Sequence, residues 1–248
     1  YQALHNAGAT LTWALNNHDA HRVVTRYGRA DAHLMSSWTG SNLVNSDAPV
    51  DLELGHRRAR AAALLVLGLP GAAYLYMGEE LGLPEVLDIP DSARQDPIFA
   101  RTEGREKGRD GCRVPMPWTN SSERLTGFST SANVESWMPQ PEDWGSRSVE
   151  IQDHDSDSML SLYRQALSCR IDMVKQGEEI HFIGDGTDGL FSFTRGSYAV
   201  VVNTSEDAVE IPQEIMAGRG LILGSQTGVF STGEEASYIA ANSAVWLG

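Results

Sequence analysis

The chain has 248 residues, 41% hydrophobic and 21% charged, with 24 Gly, 10 Pro and two Cys. That composition excludes disorder, collagen and a disulfide-stapled mini-domain, and the length is ample to bury a core. Nineteen basic against 33 acidic residues leave a net charge of −14, which repels phosphate backbones and anionic lipid surfaces, so neither nucleic acid nor a membrane is expected as a partner.

The charge is uneven: residues 1–133 carry 13 basic and 15 acidic groups, residues 134–248 carry 6 and 18. Cys112 and Cys169 lie far apart in sequence, and two such thiols suggest a reducing compartment, so a cytoplasmic location is expected. No signal-peptide pattern opens the chain, which begins at Tyr1 rather than Met, and something upstream is expected to be missing. The uncharged run at residues 61–78 is broken by Pro70-Gly71 and reads as a buried helix, a turn and a strand rather than a membrane span.

In chain order, residues 1–7 read as the tail of a helix. Leu11 to Leu15 then form an apolar strand that stops at Asn16-Asn17-His18-Asp19. After a Gly/Ser/Asn/Asp-rich loop around residues 36–50, Asp51 to Gly68 read as a helix with acidic residues first and Arg57, Arg58 and Arg60 later. A second buried strand is centred on Ala73 to Tyr76 and is followed by Glu79 and Glu80. Strand, helix, strand with continuous apolar runs is the pattern of a parallel sheet covered by helices, and functional groups gather at the C-terminal ends of such strands.

Residues 84–150 form a long irregular excursion, for which Trp118, Trp137 and Trp144 argue a packed state. Residues 156–176 predict an amphipathic helix. Beyond Gly177 come short strand-like runs: Leu190 to Thr194, Tyr198 to Asn203, Val209 to Ile211, Leu221 to Leu223 and Ala244 to Leu247. They predict a small antiparallel β-domain over residues 181–248, after a first domain over residues 1–180.

The group Asn16-Asn17-His18-Asp19 with Arg22 puts an imidazole, a carboxylate and a guanidinium at a strand end. Such a group can hold sugar hydroxyls and stabilise an oxocarbenium-like transition state, although a His-Asp pair there is equally a satisfied structural pair. Glu79 and Glu80 suggest a paired-carboxylate acid/base site. His5, His21, His33, His56, His154 and His181 are scattered without metal-ligand spacing. Trp13, Trp118 and Tyr163 read as core.

Three segments in this order, WALNNHDAHRVVTRYG (residues 13–28), LGLPGAAYLYMGEELGLPE (67–85) and GRDGCRVPMPW (108–118), resemble the α-amylase family of glycoside hydrolases, family 13. With SMLSLYRQAL (158–167) and the terminal β-domain, the resemblance covers essentially the whole chain. Within the family it looks most like exo-acting α-glucosidases of actinobacterial type, marked by the Gly-Arg-Asp-Gly-Cys-Arg loop before Pro-x-Pro-Trp.

The resemblance implies an α/β fold: the C-terminal portion of a (β/α)8 TIM barrel, strands seven and eight, followed by a small antiparallel β-sandwich. It implies retaining hydrolysis of terminal α-linked glucose from an α-glucoside oligosaccharide, with Asp19 as the third catalytic carboxylate and His18 gripping the sugar beside it. Arg113 would close the pocket on the non-reducing glucose, and Arg22 would bind substrate or brace Asp19 and nearby loops. Cys112 would pack beneath the loop, and the eighth-strand motif of the family implies that Glu79 and Glu80 are largely structural, capping loops near the pocket rim. Gln95-Asp96-Pro97 matches a loop on the aglycone side, but Ser92 stands where relatives often have an acidic residue. No organic cofactor is implied, this chain is given no metal ligand, and any metal site of relatives would lie on the absent N-terminal part.

By the same resemblance the nucleophile and acid/base fall on an N-terminal part of the barrel that is absent, which is the expected partner of this chain. Retaining hydrolysis needs two carboxyl groups about 5–5.5 Å apart, and this sequence assigns neither. The alternatives are a transglucosylase of the same family and a non-catalytic amylase-like scaffold.

Overall fold

A computed structural model describes residues 1–31, 48–132, 134–184, 186 and 189–248. Most of the loop expected around residues 36–50, and His33, lie outside the described residues. In chain order come α1 (Gln2–Asn6), β1 (Thr12–Ala14), α2 (Val23–Gly28), α3 (Leu52–Gly68), β2 (Ala72–Tyr74), α4 (Pro97–Arg101), α5 (Val149–Asp153) and α6 (Met159–Lys175). There follow β3 (His181–Ile183), β4 (Leu190–Arg195), β5 (Tyr198–Asn203), β6 (Val209–Ile211), α7 (Gln213–Met216), β7 (Leu221–Gly224), β8 (Phe230–Thr232), β9 (Ser237–Ile239) and β10 (Ser243–Leu247).

The fold is α/β with one parallel and two antiparallel sheets, and this corrects the expected barrel portion with its sandwich. β1 and β2 make a two-stranded parallel sheet, and no closed eight-stranded barrel forms among the described residues. Closure requires a ring of strands, each paired on both sides. β1 and β2 are also not the buried strands their apolar runs suggested, since each has three residues, exposed at both ends and half-buried at the centre. A continuous apolar run is buried only where further strands and helices cover it.

Two compact units divide the chain. Tyr1–Leu15, Arg57–Tyr74 and Leu162–Gly248 make one; Asn16–His56 and Leu75–Ser161 make the other. A single boundary near residue 180 does not describe this division, because α3 and α6 each contribute to both.

In the first unit the strand order β3-β4-β5-β10-β7 gives a five-stranded antiparallel sheet, and β6-β9-β8 a three-stranded one. Alternate residues Ala199, Val201, Val245 and Leu247 meet Ile211, Ile215, Val229 and Ile239 in a wholly apolar core. The other face of β5 and β10 takes α3: a Cβ at Gly68 would meet the Val200 side chain at 2.7 Å, and Trp246 donates from Nε1 to the Leu64 carbonyl at 3.0 Å. Both faces are therefore covered, which is why every residue of β10 is buried. The C-terminal end of α3 carries unpaired carbonyls and the negative end of the helix dipole. Arg170 answers them by donating to the Leu67 carbonyl and Arg195 by donating to Gly68 at 3.4 Å; just beyond the helix Arg170 also donates to Leu69 at 2.9 Å and Gly71 at 2.6 Å.

The second unit holds the long excursion. Its core is Leu81, Leu83, Val86, Ile89, Val114, Met116, Met138, Trp144 and Leu160. The expectation of packed tryptophans holds for Trp144, while Trp118 and Trp137 are 47% and 65% exposed. Trp118 is thus not core, whereas Tyr163 is. Gly28 and Gly55 let α2 cross α3 closely, because a Cβ on either would strike a backbone carbonyl, that of Asp51 or of Val24. No helix among the described residues is long and apolar enough to cross a membrane.

Candidate active site

The site lies wholly in the second unit. β1 ends just before it, and the chain then turns through Asn17, whose side-chain oxygen accepts the Asp19 N–H at 2.8 Å. This local bond replaces strand pairing and turns the Asp19 carboxylate outward. His18 follows the same turn and is largely exposed, with Nε2 3.5 Å from Asp19 Oδ2.

The loop 108–118 supplies the counter-charges. A 3₁₀ turn over Asp110–Cys112 places Arg109 and Arg113 at its two ends. Arg109 Nη1 donates to Asp19 Oδ1 at 2.7 Å and Arg113 Nη2 donates to the same oxygen at 3.0 Å. Arg113 Nε also donates to the His18 carbonyl at 2.8 Å. One carboxylate oxygen of Asp19 is thereby held by two guanidinium groups, and the other faces His18.

Arg109 is itself held by Asp96, a carboxylate with no exposed surface. Its Nε donates to Asp96 Oδ2 at 2.6 Å and its Nη2 to Oδ1 at 3.2 Å, a bidentate pair. Asp96 also caps α4 by accepting the Ile98 N–H at 3.1 Å and accepts the Arg109 N–H at 3.0 Å. Burial would raise its carboxyl, but the bonds from Arg109 and Ile98 outweigh that and hold it down at about 2. Asp110 Oδ2 ties the two loops together by accepting the N–H groups of Gln95 at 2.7 Å and Asp96 at 3.0 Å.

Arg22 is 1% exposed. It donates to the carbonyls of Met77 and Cys112, both at 2.9 Å, and lies over the rings of Tyr76 and Trp144. It therefore binds loops together rather than lying open to a ligand. Beneath it, Glu85 accepts the Arg22 N–H at 2.8 Å, and burial pushes its carboxyl up to about 7. Gly111 is glycine because a Cβ there would strike the Glu85 carboxylate and the Val86 carbonyl. Cys112 is 1% exposed and its thiol is raised to about 12 by burial, which keeps it inert.

Glu79 is buried and Glu80 partly so, in the turns after β2, where burial raises the Glu80 carboxyl above the ordinary range. Among the described residues no group of His, Cys, Asp and Glu could hold a metal ion. His21 is buried, and burial with the charges of Arg29 and Arg26 pushes its imidazole down to about 3, so it is neutral. The structure brings His18, Asp19 and Arg113 together and places Arg22 behind them. The sequence gives Arg109 no role and Asp96 only a place in an aglycone-side loop, without joining the two. Their signal lies in the segments Gln95-Asp96-Pro97 and GRDGCRVPMPW, which carry charges of opposite sign.

Over residues 1–177 the chain matches the alpha-amylase catalytic domain. A probable alpha-glucosidase of Rhizobium meliloti (strain 1021) is 31% identical over 221 residues, 85% of this chain and 35% of that protein. The glucan 1,6-alpha-glucosidase of Streptococcus dysgalactiae subsp. equisimilis is 26% identical over 234 residues, 86% of this chain and 38% of that one. The crystal structure of the alpha-glucosyl transfer enzyme XgtA superposes with a TM-score of 0.70 at 27% identity, covering 96% of this chain and 40% of its own. The chain thus spans between a third and two fifths of the length of these relatives. With that match over residues 1–177, the chain belongs to the alpha-amylase family of glycoside hydrolases and transglycosylases.

Proposed function

We propose that this chain supplies the glucose-gripping side of an enzyme that breaks α-glucosidic bonds with retention and passes the glucosyl group to water, as the α-glucosidases whose loop reads GRDGCRVPMPW would do. The observation that carries this is the state of Asp19: one oxygen is fixed by Arg109 and Arg113, and the side chain remains 36% exposed beside His18. A carboxylate so fixed needs no reorganisation as positive charge develops on the glucosyl ring, which is the condition for strong electrostatic stabilisation.

In this reading Asp19 accepts from a sugar hydroxyl and opposes the oxocarbenium charge, His18 donates to a neighbouring hydroxyl, and Arg113 bounds the pocket. Arg22 acts behind them by holding the loops of Met77 and Cys112. The nucleophile and acid/base come from a partner segment, and no residue of this chain is given either role. A second reading is supported by the 27% identity to an alpha-glucosyl transfer enzyme: here a sugar hydroxyl, rather than water, meets the glucosyl intermediate.

The test is to incubate the protein at its natural length with maltose and follow free glucose and trisaccharide together. Glucose alone supports hydrolysis; accumulating trisaccharide supports transfer. Asp19→Asn is expected to lower turnover roughly 10³-fold in either case. Absence of turnover on any α-glucoside overturns both readings in favour of a non-catalytic scaffold.

A further inference from the structure

Asp19 is held by two arginines, and they are not equivalent. Arg113 divides its donors between Asp19 and the His18 carbonyl and leans on an exposed turn. Arg109 gives Nη1 to Asp19 and both Nε and Nη2 to Asp96. Asp96 cannot shift, because it is fully buried, caps α4 and is tied through its own N–H to Asp110. The fit is close as well: Gly108 has φ +75, and a Cβ there would meet the Asp96 side chain at 2.7 Å. A buried carboxylate, a planar fork and an open carboxylate thus form a continuous chain of contacts, each group from a different segment.

We propose that Arg109 is a positioning residue for this site, transmitting the fixed position of Asp96 to the Asp19 carboxylate and so holding one Asp19 oxygen on the protein and the other toward the ligand. This rests on the glycosyl-transfer reading above and deepens it. Guanidinium geometry suits this, because its planar fork gives Nε and Nη2 to Asp96 and Nη1 to Asp19 at once; an ammonium places its donors on one atom and loses the bidentate pair to Asp96 when it reaches Asp19. Loss of the fork leaves Asp19 with Arg113 alone, free to rotate about χ2 and to turn either oxygen inward. Its effect therefore falls on the transition state, where misplacement matters most, and little on ground-state binding.

The experiment compares Arg109→Lys, Arg109→Gln and Asp96→Asn in the protein at its natural length. Turnover of p-nitrophenyl α-glucoside is measured alongside the ¹³Cγ resonance of Asp19 in aspartate-labelled protein. Arg109→Gln is expected to lower kcat about 100-fold with KM within about threefold, and Arg109→Lys and Asp96→Asn to lower it about tenfold. In a fourth variant, Arg109→Ala, which leaves space for the ion, added guanidinium is expected to restore part of the lost kcat. The Asp19 resonance moves in each Arg109 variant and stays in place in Arg105→Gln, a loop control whose Nε donates to Thr102.

A kcat within twofold of wild type, a loss that merely follows the loss of folded protein, or an unmoved Asp19 resonance overturns the proposal. Should the wild-type protein cleave no α-glucoside, the functional reading fails by itself and the Asp19 resonance alone decides the positioning role.

Discussion

The core between the antiparallel sheets of the first unit and the loops around the candidate site of the second differ in what they bury. Between the sheets the core is aliphatic throughout, Ala199, Val201, Ile211, Ile215, Val229, Ile239, Val245 and Leu247, each at most 3% exposed. The loops, beside their own apolar core, bury charge: Arg22, Glu79, Glu85, Asp96 and Asp110 are all at most 7% exposed. Aliphatic burial is non-directional and gives stability, whereas buried ionic and polar groups gain little net stability and act mainly by fixing geometry. The difference teaches that the loops are built for position. That is the property a site for a developing charge requires.

The comparison can be broken first at the sheet. Trp246→Ala removes a fully buried indole and its bond to the Leu64 carbonyl, and is expected to cost about 4 kcal/mol of stability, read from urea unfolding. A cost below about 1 kcal/mol would mean that the sheet relaxes into the cavity and is not tightly packed.

Next in size is a test of charge burial in the loops. Glu85 is raised by burial from 4.5 to about 7, so the folded state holds its proton more tightly than the unfolded chain. Its contribution is fully present below about pH 4.5, falls as pH rises to about 7 and is constant above, a change of about 3 kcal/mol. Glu85→Gln keeps an oxygen to accept the Arg22 N–H and removes the titration, so the stability gained by the variant should grow across that window. A gain independent of pH would place the Glu85 charge in water and erase the contrast between the regions.

The smallest effect sharpens the same point from outside. Asp143→Ala breaks an exposed i,i+4 pair with Arg147 at 3.4 Å and should move stability by no more than about 0.5 kcal/mol, measured by thermal unfolding. A larger loss would show that surface charge as well as buried charge holds the loops.

Much of the local structure was legible from periodicity and capping. The helix expected over Asp51 to Gly68 is found at Leu52–Gly68, and the runs at Tyr198 to Asn203 and Val209 to Ile211 are β5 and β6. The amphipathic helix begins at Met159 because Ser158 accepts the Ser161 N–H at 3.1 Å as its cap. β3, β8 and β9 were missed: His181–Ile183, Phe230–Thr232 and Ser237–Ile239 are three residues each and half polar, so they become strands only beside their neighbours.

Local spacing specifies the helices at Leu52–Gly68 and Met159–Lys175, the runs of β5 and β6 and the Asn16-Asn17-His18-Asp19 group at the end of β1, since each depends on residues a few positions apart. Only the tertiary structure decided that Arg22 lies buried among loop carbonyls, that β1 and β2 pair as an isolated parallel two-strand sheet, and that Arg109 joins Asp96 to Asp19. Arg109 and Asp19 are 90 residues apart, and no periodicity links charges at that separation. Which carboxylate a guanidinium takes is settled by the loops that bring them within 3 Å and by the low dielectric that makes an unpaired choice costly.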